Sequence, residues 1–204
     1  MAALAVAVAT GVACTSGVHL ENLVGWNEAE RLTRALAIEP GMTVADVGAG
    51  KGGLAVAIAR RVAPGGRVFA TEIAPKRLAA IRDAIAREGL DNVTVVTAGE
   101  RETGLPAACC EVVYLRNVYH HIAHPDALNA SLFESVAPGG RLAVIDFEPG
   151  GLLDWLGGGS TRRGHGVRPA QVIRELTAAG FGLERRNDRW GRSGYLLTFR
   201  RPPP

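Results

Sequence analysis

The chain has 204 residues, of which 47% are hydrophobic and 21% are charged. These values are typical of a soluble globular protein with one domain, and they exclude a disordered, collagen-like or coiled-coil chain. No apolar run reaches the ~18–20 residues of a membrane span. The formal net charge is +3, but residues 160–204 hold ten arginines against three acidic residues. Either a solvated surface or contact with an anionic substrate or nucleic acid would explain this local excess.

The N-terminus and the cysteines bear on location. Three cysteines do not make a disulfide framework, and the adjacent pair Cys109–Cys110 is not expected to bridge. A reducing, cytoplasmic location is therefore predicted. Residues 1–25 are predicted to form a separate N-terminal helix, followed by a single domain over residues 26–204. The apolar residues 2–13 before Cys14 also suit a lipoprotein signal, although no lysine or arginine precedes them.

Hydrophobic periodicity and turn residues predict alternating helices and strands along the chain. Helices are predicted over residues 27–37, 54–62, 75–88, 125–136 and 169–179. Strands are predicted over residues 43–47, 67–71, 93–97, 112–115, 141–146, 183–188 and 194–200. The alternation indicates an α/β fold with a mostly parallel sheet. No helix separates the last two strands, so they are predicted to form an antiparallel hairpin.

A glycine-rich loop joins the first predicted strand to the following helix. Gly48, Gly50 and Gly53 fit the pattern Gly-x-Gly-x-x-Gly, and glycine permits both a tight turn and a close approach of a ligand to the backbone. The free N–H groups of the helix N-terminus add a partial positive charge. Asp46 stands two residues before the loop. Glu72 closes the second strand, where a carboxylate can accept both hydroxyls of a ribose.

Residues 44–53, Val-Ala-Asp-Val-Gly-Ala-Gly-Lys-Gly-Gly, resemble motif I of the class I S-adenosylmethionine-dependent methyltransferases. The Pro-Gly-Gly turn at residues 138–140 and the closing hairpin resemble the same family, so the resemblance covers residues 30–201. It implies a Rossmann-like, doubly wound sheet of seven strands, S-adenosylmethionine as the cofactor and methyl transfer as the activity. The cofactor-binding residues that it implies are Asp46, Gly48, Ala49, Gly50, Gly52, Glu72, Ile73, Glu100 and Asn117.

Glu100 and Asn117 belong to segments that follow the third and fourth strands. The family often places a carboxylate or an amide after the third strand to meet the adenine amino group. The usual aspartate is absent here, and Glu100 is the candidate in its place. Asn117 begins the segment that, in related methyltransferases, borders both the sulfonium and the methyl acceptor.

Three histidines are predicted as catalytic residues: His120, His121 and His165. The Tyr-His-His and Gly-His-Gly segments that contain them are similar to segments of one bacterial group in the family. An imidazole titrates near ~6.5 and can take the proton of a methyl acceptor. His165 lies in the glycine-rich residues 150–166, which are expected to cover the acceptor as a lid. The alternative is that the histidines only line the pocket. His120, His121 and His124 are not spaced as a good ligand set on one helix, so no metal is predicted.

The predicted acceptor is a small molecule, and an anionic one fits the C-terminal arginines. An RNA or protein acceptor is the first alternative, although the chain has neither an Asn-Pro-Pro-Tyr-type signature nor an appended nucleic-acid module. A nicotinamide-dependent oxidoreductase would also use the glycine loop and Glu72. Against it, there is no substrate domain, and Asp46 would repel a pyrophosphate. A non-catalytic module that binds the cofactor is a further alternative.

Overall fold

The computed structural model describes residues 20–150, 166–191 and 194–203. The helices are α1 (Leu20–Leu36), α2 (Gly53–Val62), α3 (Pro75–Glu88), α4 (Pro125–Ser135) and α5 (Pro169–Ala178). The strands are β1 (Thr43–Val47), β2 (Arg67–Glu72), β3 (Val93–Thr97), β4 (Cys110–Arg116), β5 (Val136–Phe147), β6 (Gly182–Trp190) and β7 (Gly194–Arg200). A short 3-10 helix, Tyr119–His121, follows β4.

The described strands form one seven-stranded sheet in the order β3-β2-β1-β4-β5-β7-β6. Strands β1 to β5 are parallel, and β7 runs antiparallel between β5 and β6. The Rossmann-like, doubly wound fold and the C-terminal hairpin are therefore confirmed. The chain winds outward from β1 to β3 and then returns to place β4 on the other side of β1. This reversal opens a crevice between the carboxyl ends of β1 and β4, where open α/β sheets bind ligands.

Both faces of the sheet are covered by helices. One core joins Leu32 of α1, Ile58 of α2 and Ile81 of α3 to the strands, and a second core lies under Leu132 of α4 and Val172 of α5. The buried residues of α2 include Ala55, Ile58, Ala59 and Val62. Val56 and Ala57 are buried as well, so α2 is buried around most of its circumference rather than along one face. The two cores fix the sheet, so its carboxyl edge is a rigid platform.

Several boundaries differ from the predicted ones. Helix α1 begins at Leu20, seven residues before the predicted start, and it crosses the predicted boundary after residue 25. Strand β5 begins at Val136 and takes in the Pro-Gly-Gly segment that was predicted as a turn. The reason is long-range pairing: the N–H of Gly139 donates to the carbonyl of Arg201, and the N–H of Arg201 donates to the carbonyl of Gly140.

Cys109 and Cys110 form a disulfide, so the prediction that this adjacent pair does not bridge is wrong. Just before the pair, the backbone of Ala108 is left-handed, with a φ of 48°. The N–H of Ala108 donates to the carbonyl of Glu134 at 2.7 Å. The predicted reducing location loses the support of these thiols. None of the described helices is both long and apolar enough to cross a membrane.

Candidate functional site

A cavity of about 990 Å³ opens at the carboxyl ends of β1, β2 and β4. This volume lies at the upper end of the range that suits an organic cofactor or substrate. The predicted site residues in its wall are Asp46, Gly48, Ala49, Gly50, Glu72, Ile73, Glu100, Asn117 and His121. Gly52 and His120 lie outside this wall, and His165 lies outside the described residues. The fold thus brings eight of the nine predicted cofactor residues to one cavity.

The glycine loop, residues 48–53, has left-handed backbone at Gly48 and Gly50, with φ of 77° and 60°. At Gly48 a Cβ would lie 2.5 Å from Cγ2 of Val118, so a side chain does not fit there. At Gly50 a Cβ would meet nothing within 4 Å, so the backbone is open to the cavity. Gly52 has a different role, because its Cβ would lie 3.3 Å from the backbone of Ile81. It permits α2 to pack closely on α3.

The Glu72 carboxylate is bonded to the backbone around it. It is 6% exposed, and its Oε2 accepts the N–H of Gly50 at 3.1 Å. Its Oε1 accepts the N–H of Ile73 at 2.9 Å and that of Ala74 at 3.3 Å, and Nη1 of Arg77 lies 3.5 Å from Oε2. The carboxylate therefore ties the glycine loop to the start of α3 and lies in the wall of the cavity.

Asp46 is 3% exposed and faces Tyr114 across the β1–β4 pair. Burial raises the pKa of Asp46 to about 7, because the ionised carboxylate loses solvation. The Tyr114 hydroxyl and the Arg116 guanidinium lower this pKa in part, while Glu72 and Glu28 raise it. A positive charge on a ligand beside Asp46 would favour the ionised form. Binding of such a ligand would release a proton near neutral pH.

Sequence reasoning missed the contribution of α1 to the cavity. Glu28 lines it and accepts a hydrogen bond from Nε of Arg116 at 2.5 Å, and Arg116 lines it too. The two residues are 88 positions apart and belong to no motif. A polar residue on an otherwise amphipathic helix is ordinarily read as surface, so no sequence signal distinguished Glu28.

The histidine pair, His120 and His121, is split between core and cavity. His120 is 3% exposed, and its Nδ1 lies 2.8 Å from Oδ1 of Asp146. The His121 ring lies against the His120 ring, with centroids 3.9 Å apart, and it faces the cavity. Partial burial and His120 lower the pKa of His121, and Asp146 opposes the shift. At pH 7 the His121 imidazole is therefore neutral and able to accept a proton.

Glu100 and Asn117 both line the cavity, and both are exposed. The Glu100 carboxylate is exposed and lies 4.0 Å from Nε2 of His124. Asn117 has a φ of 54°, a conformation that asparagine tolerates, and its N–H donates to the carbonyl of Ile145 at 2.8 Å. The predicted lid over residues 150–166 lies almost wholly outside the described residues. Within the described part of the chain, no group of three side chains is arranged to hold a metal ion.

Comparison with known proteins identifies relatives of this chain. A family model described as a methyltransferase domain matches residues 44–140. A ubiquinone/menaquinone biosynthesis C-methyltransferase of Bordetella parapertussis is 34% identical over 111 residues, which cover 54% of this chain and 43% of that protein. A protein-L-isoaspartate O-methyltransferase of Aeropyrum pernix is 34% identical over 117 residues, which cover 56% and 42%. The match thus spans less than half the length of each relative.

A solved structure shows the same architecture. The crystal structure of an S-adenosylmethionine-dependent methyltransferase from Aquifex aeolicus superimposes with a TM-score of 0.72 and covers 85% of this chain and 89% of that one. The two sequences are 22% identical, so this likeness bears on the fold alone.

Proposed function

Because the chain belongs to the class I S-adenosylmethionine-dependent methyltransferases, we propose that it transfers a methyl group from S-adenosylmethionine to a small-molecule acceptor. The observation that carries the proposal is the hydrogen bonding of the glycine loop. Gly48 and Ala49 donate their N–H groups to the carbonyl of Thr71, and Gly50 donates to Glu72. Three amides at the mouth of the cavity are therefore already bonded, one of them to a carboxylate.

This arrangement favours a sulfonium cofactor over a dinucleotide. A dinucleotide places its pyrophosphate on the free amides of the loop, whereas these amides are occupied. The carboxylates of Glu28 and Glu72 line the cavity and would repel a phosphate, as would Asp46 in its ionised form. The same carboxylates would attract the positive charge of a sulfonium and an amino group.

The residues present fit the parts of S-adenosylmethionine. Glu72 is the candidate for the ribose hydroxyls, through the acceptor capacity that its bonds to the backbone of Gly50, Ile73 and Ala74 leave open. The open backbone at Gly50 allows the ligand to approach closely. Ile73, half-exposed at the cavity, offers an apolar surface for the adenine ring, and Glu100 is the candidate for its amino group. When bound, the cofactor supplies an electrophilic methyl group on sulfur. The protein contributes mainly by holding the acceptor in line with it, since correct positioning supplies much of the rate.

His121 is the side chain that we assign to proton removal from the acceptor. It faces the cavity, and its lowered pKa keeps it neutral at pH 7. A phenol, thiol or enol must lose a proton as it takes the methyl group, and a neutral imidazole can accept it. His120 lies behind this ring rather than in the cavity wall, and the catalytic role of His165 stays a prediction.

Two features support a small-molecule acceptor. The relative from Bordetella parapertussis is named as a C-methyltransferase of ubiquinone/menaquinone biosynthesis. The cavity wall next to His121 continues into the apolar side chains of Ile122 and Leu128, which suit a small organic ring. A protein acceptor is the alternative that the relative from Aeropyrum pernix brings to mind. A cytoplasmic location stays a prediction.

Calorimetry and an acceptor screen test this function. Titration with S-adenosylhomocysteine is expected to give micromolar binding, and titration with NADH is expected to give none. A panel of phenols, quinols, thiols and protein extracts is then incubated with the cofactor labelled in its methyl group. Label in a small-molecule fraction supports the proposal. Tight NADH binding without binding of S-adenosylhomocysteine would refute it, and label confined to protein would reassign the acceptor.

A further inference from the structure

The carboxylate of Asp146 has three nitrogen atoms within hydrogen-bond distance. It lies near the carboxyl end of β5 and is 1% exposed. Its Oδ2 accepts the backbone N–H of His120 at 3.2 Å, and its Oδ1 accepts the backbone N–H of Phe147 at 2.9 Å. Oδ1 also lies 2.8 Å from Nδ1 of His120. One buried carboxylate therefore holds both the backbone and the ring of a single histidine.

These contacts fix the protonation of the His120 ring. A carboxylate that receives two backbone N–H groups acts as an acceptor, so the proton of the third contact belongs to Nδ1 of His120. The ring is further enclosed by Phe147, with centroids 4.9 Å apart, and by His121. His120 does not line the cavity, so it acts on a bound acceptor only through the residue in front of it.

His121 lies between the His120 ring and the cavity. Behind it, the His120 ring lies with its centroid 3.9 Å away. The charged or titratable groups that act on His121 are His120 in the same 3-10 helix, Asp146 from β5 and Arg77 from α3. In front of it is the cavity. The position of the imidazole therefore depends on a ring whose own orientation is set by Asp146.

We propose that Asp146 and His120 form a positioning pair that holds the imidazole of His121 at the cavity wall for removal of the acceptor's proton. The inference rests on the proposed function and adds two residues to it. In the step concerned, the acceptor's bond to hydrogen breaks and its electron pair stays on the acceptor atom. The proton bonds to a lone pair on an imidazole nitrogen of His121, and solvent takes it afterwards.

Histidine NMR on the protein without cofactor tests the pair independently of turnover. In the wild type, the neutral His120 ring is expected to carry its proton on Nδ1, in a strong hydrogen bond that slows its exchange with solvent. The variant Asp146→Asn keeps the size of the side chain but offers a weaker acceptor, so this proton is expected to move upfield and exchange faster. A wild-type ring protonated on Nε2 would overturn the proposal whether or not any variant folds.

His120→Phe supplies the second measurement, because it keeps a ring behind His121 but cannot carry charge. At acid pH, where both rings can be protonated, the charge of His120 repels that of His121, so a ring that cannot be protonated is expected to raise the pKa of His121. His124→Gln changes an exposed histidine three residues after His121 and is the matched control. It is expected to leave the titration of His121 unchanged. An unchanged titration in His120→Phe would also overturn the pair.

Kinetics connect the pair to the reaction once an acceptor is known. In His120→Phe, kcat is expected to fall about tenfold or more while the Kd of S-adenosylhomocysteine stays within about twofold. The acid limb of the kcat profile should move upward with the His121 pKa measured by NMR. If the acid limb of the kcat profile does not follow the His121 pKa, the pair has no role in the reaction. If the wild type methylates no acceptor although the NMR results hold, the proposed function fails and the pair remains.

Discussion

The two sides of the β1–β4 crevice are built in different ways. On the β1 side, the glycine loop is held by backbone amides that donate to the carbonyl of Thr71 and to Glu72. On the β4 side, the His121 ring packs against the His120 ring, and the His120 ring bonds to the carboxylate of Asp146. On the loop side, the φ angles of the glycines and the close approach of Val118 fix the shape of the backbone. On the histidine side, the contact with Asp146 fixes which nitrogen of His120 carries the proton. We therefore expect the loop to respond to added atoms and the histidines to respond to pH.

Asp46 lies between the two sides and gives the largest expected effect. Its pKa is raised from 3.8 to about 7 in the folded protein. The stability that follows from this shift is present at low pH and is lost as the pH rises through 7, because the folded state holds the proton more tightly. Relative to Asp46→Asn, the wild type should lose about 3 kcal/mol of unfolding free energy between pH 5 and pH 8. Urea denaturation at both pH values measures the difference, and parallel curves would contradict the burial argument.

His121→Gln tests the histidine side. The amide keeps hydrogen bonding but cannot take a proton at neutral pH, so kcat should fall about 10²-fold. The Kd of S-adenosylhomocysteine should change little, because the change lies outside the glycine loop. His124→Gln, nearby and exposed, is the control, with turnover expected within about twofold. Equal turnover in both variants would leave positioning alone to carry the reaction.

Glu72→Ala tests the loop side. Binding of S-adenosylhomocysteine should weaken by about 1–3 kcal/mol, since both the ribose acceptors and the anchor of the Gly50 amide are removed. Glu72→Gln separates these roles, because one amide oxygen can still accept from the loop while the charge is lost. The control Glu88→Gln alters an exposed glutamate at the end of α3, where it pairs with Arg60 of α2. Calorimetry gives the affinities, and a wild-type value in Glu72→Ala would exclude Glu72 from the site.

The glycines give the smallest expected effects and rank the positions within the loop. Gly50→Ala should cost about 1 kcal/mol of unfolding free energy, because a left-handed φ strains an L-residue even in open space. Gly48→Ala should cost about 1 kcal/mol more, since its Cβ would collide with Val118. In the double variant Gly48→Ala/Val118→Ala the collision is relieved, but the part of the destabilisation that comes from the φ angle should remain. Thermal or urea unfolding checks the order, and equal costs would contradict the close approach.

The loop side could be predicted from the sequence because its parts follow one another along the chain. The motif of residues 44–53 specifies a strand, a turn and a helix start in order, and the left-handed φ angles at Gly48 and Gly50 are a local reason for glycine. Glu72 was within reach because it closes the next strand, and parallel neighbours end at the same edge. The helix α3 and the strand β3 were predicted with the bounds that the structure has. Local propensity was sufficient at these places.

Only the tertiary structure decided the other side. The sequence placed His120 and His121 next to each other, and packing alone buries the first against Asp146 and turns the second to the cavity. It could not pair Glu28 with Arg116 across 88 residues, or extend β5 through its Pro-Gly-Gly segment to meet Arg201. These contacts depend on which elements become neighbours. That is settled by burial of the two cores over the whole chain, and no local pattern records it.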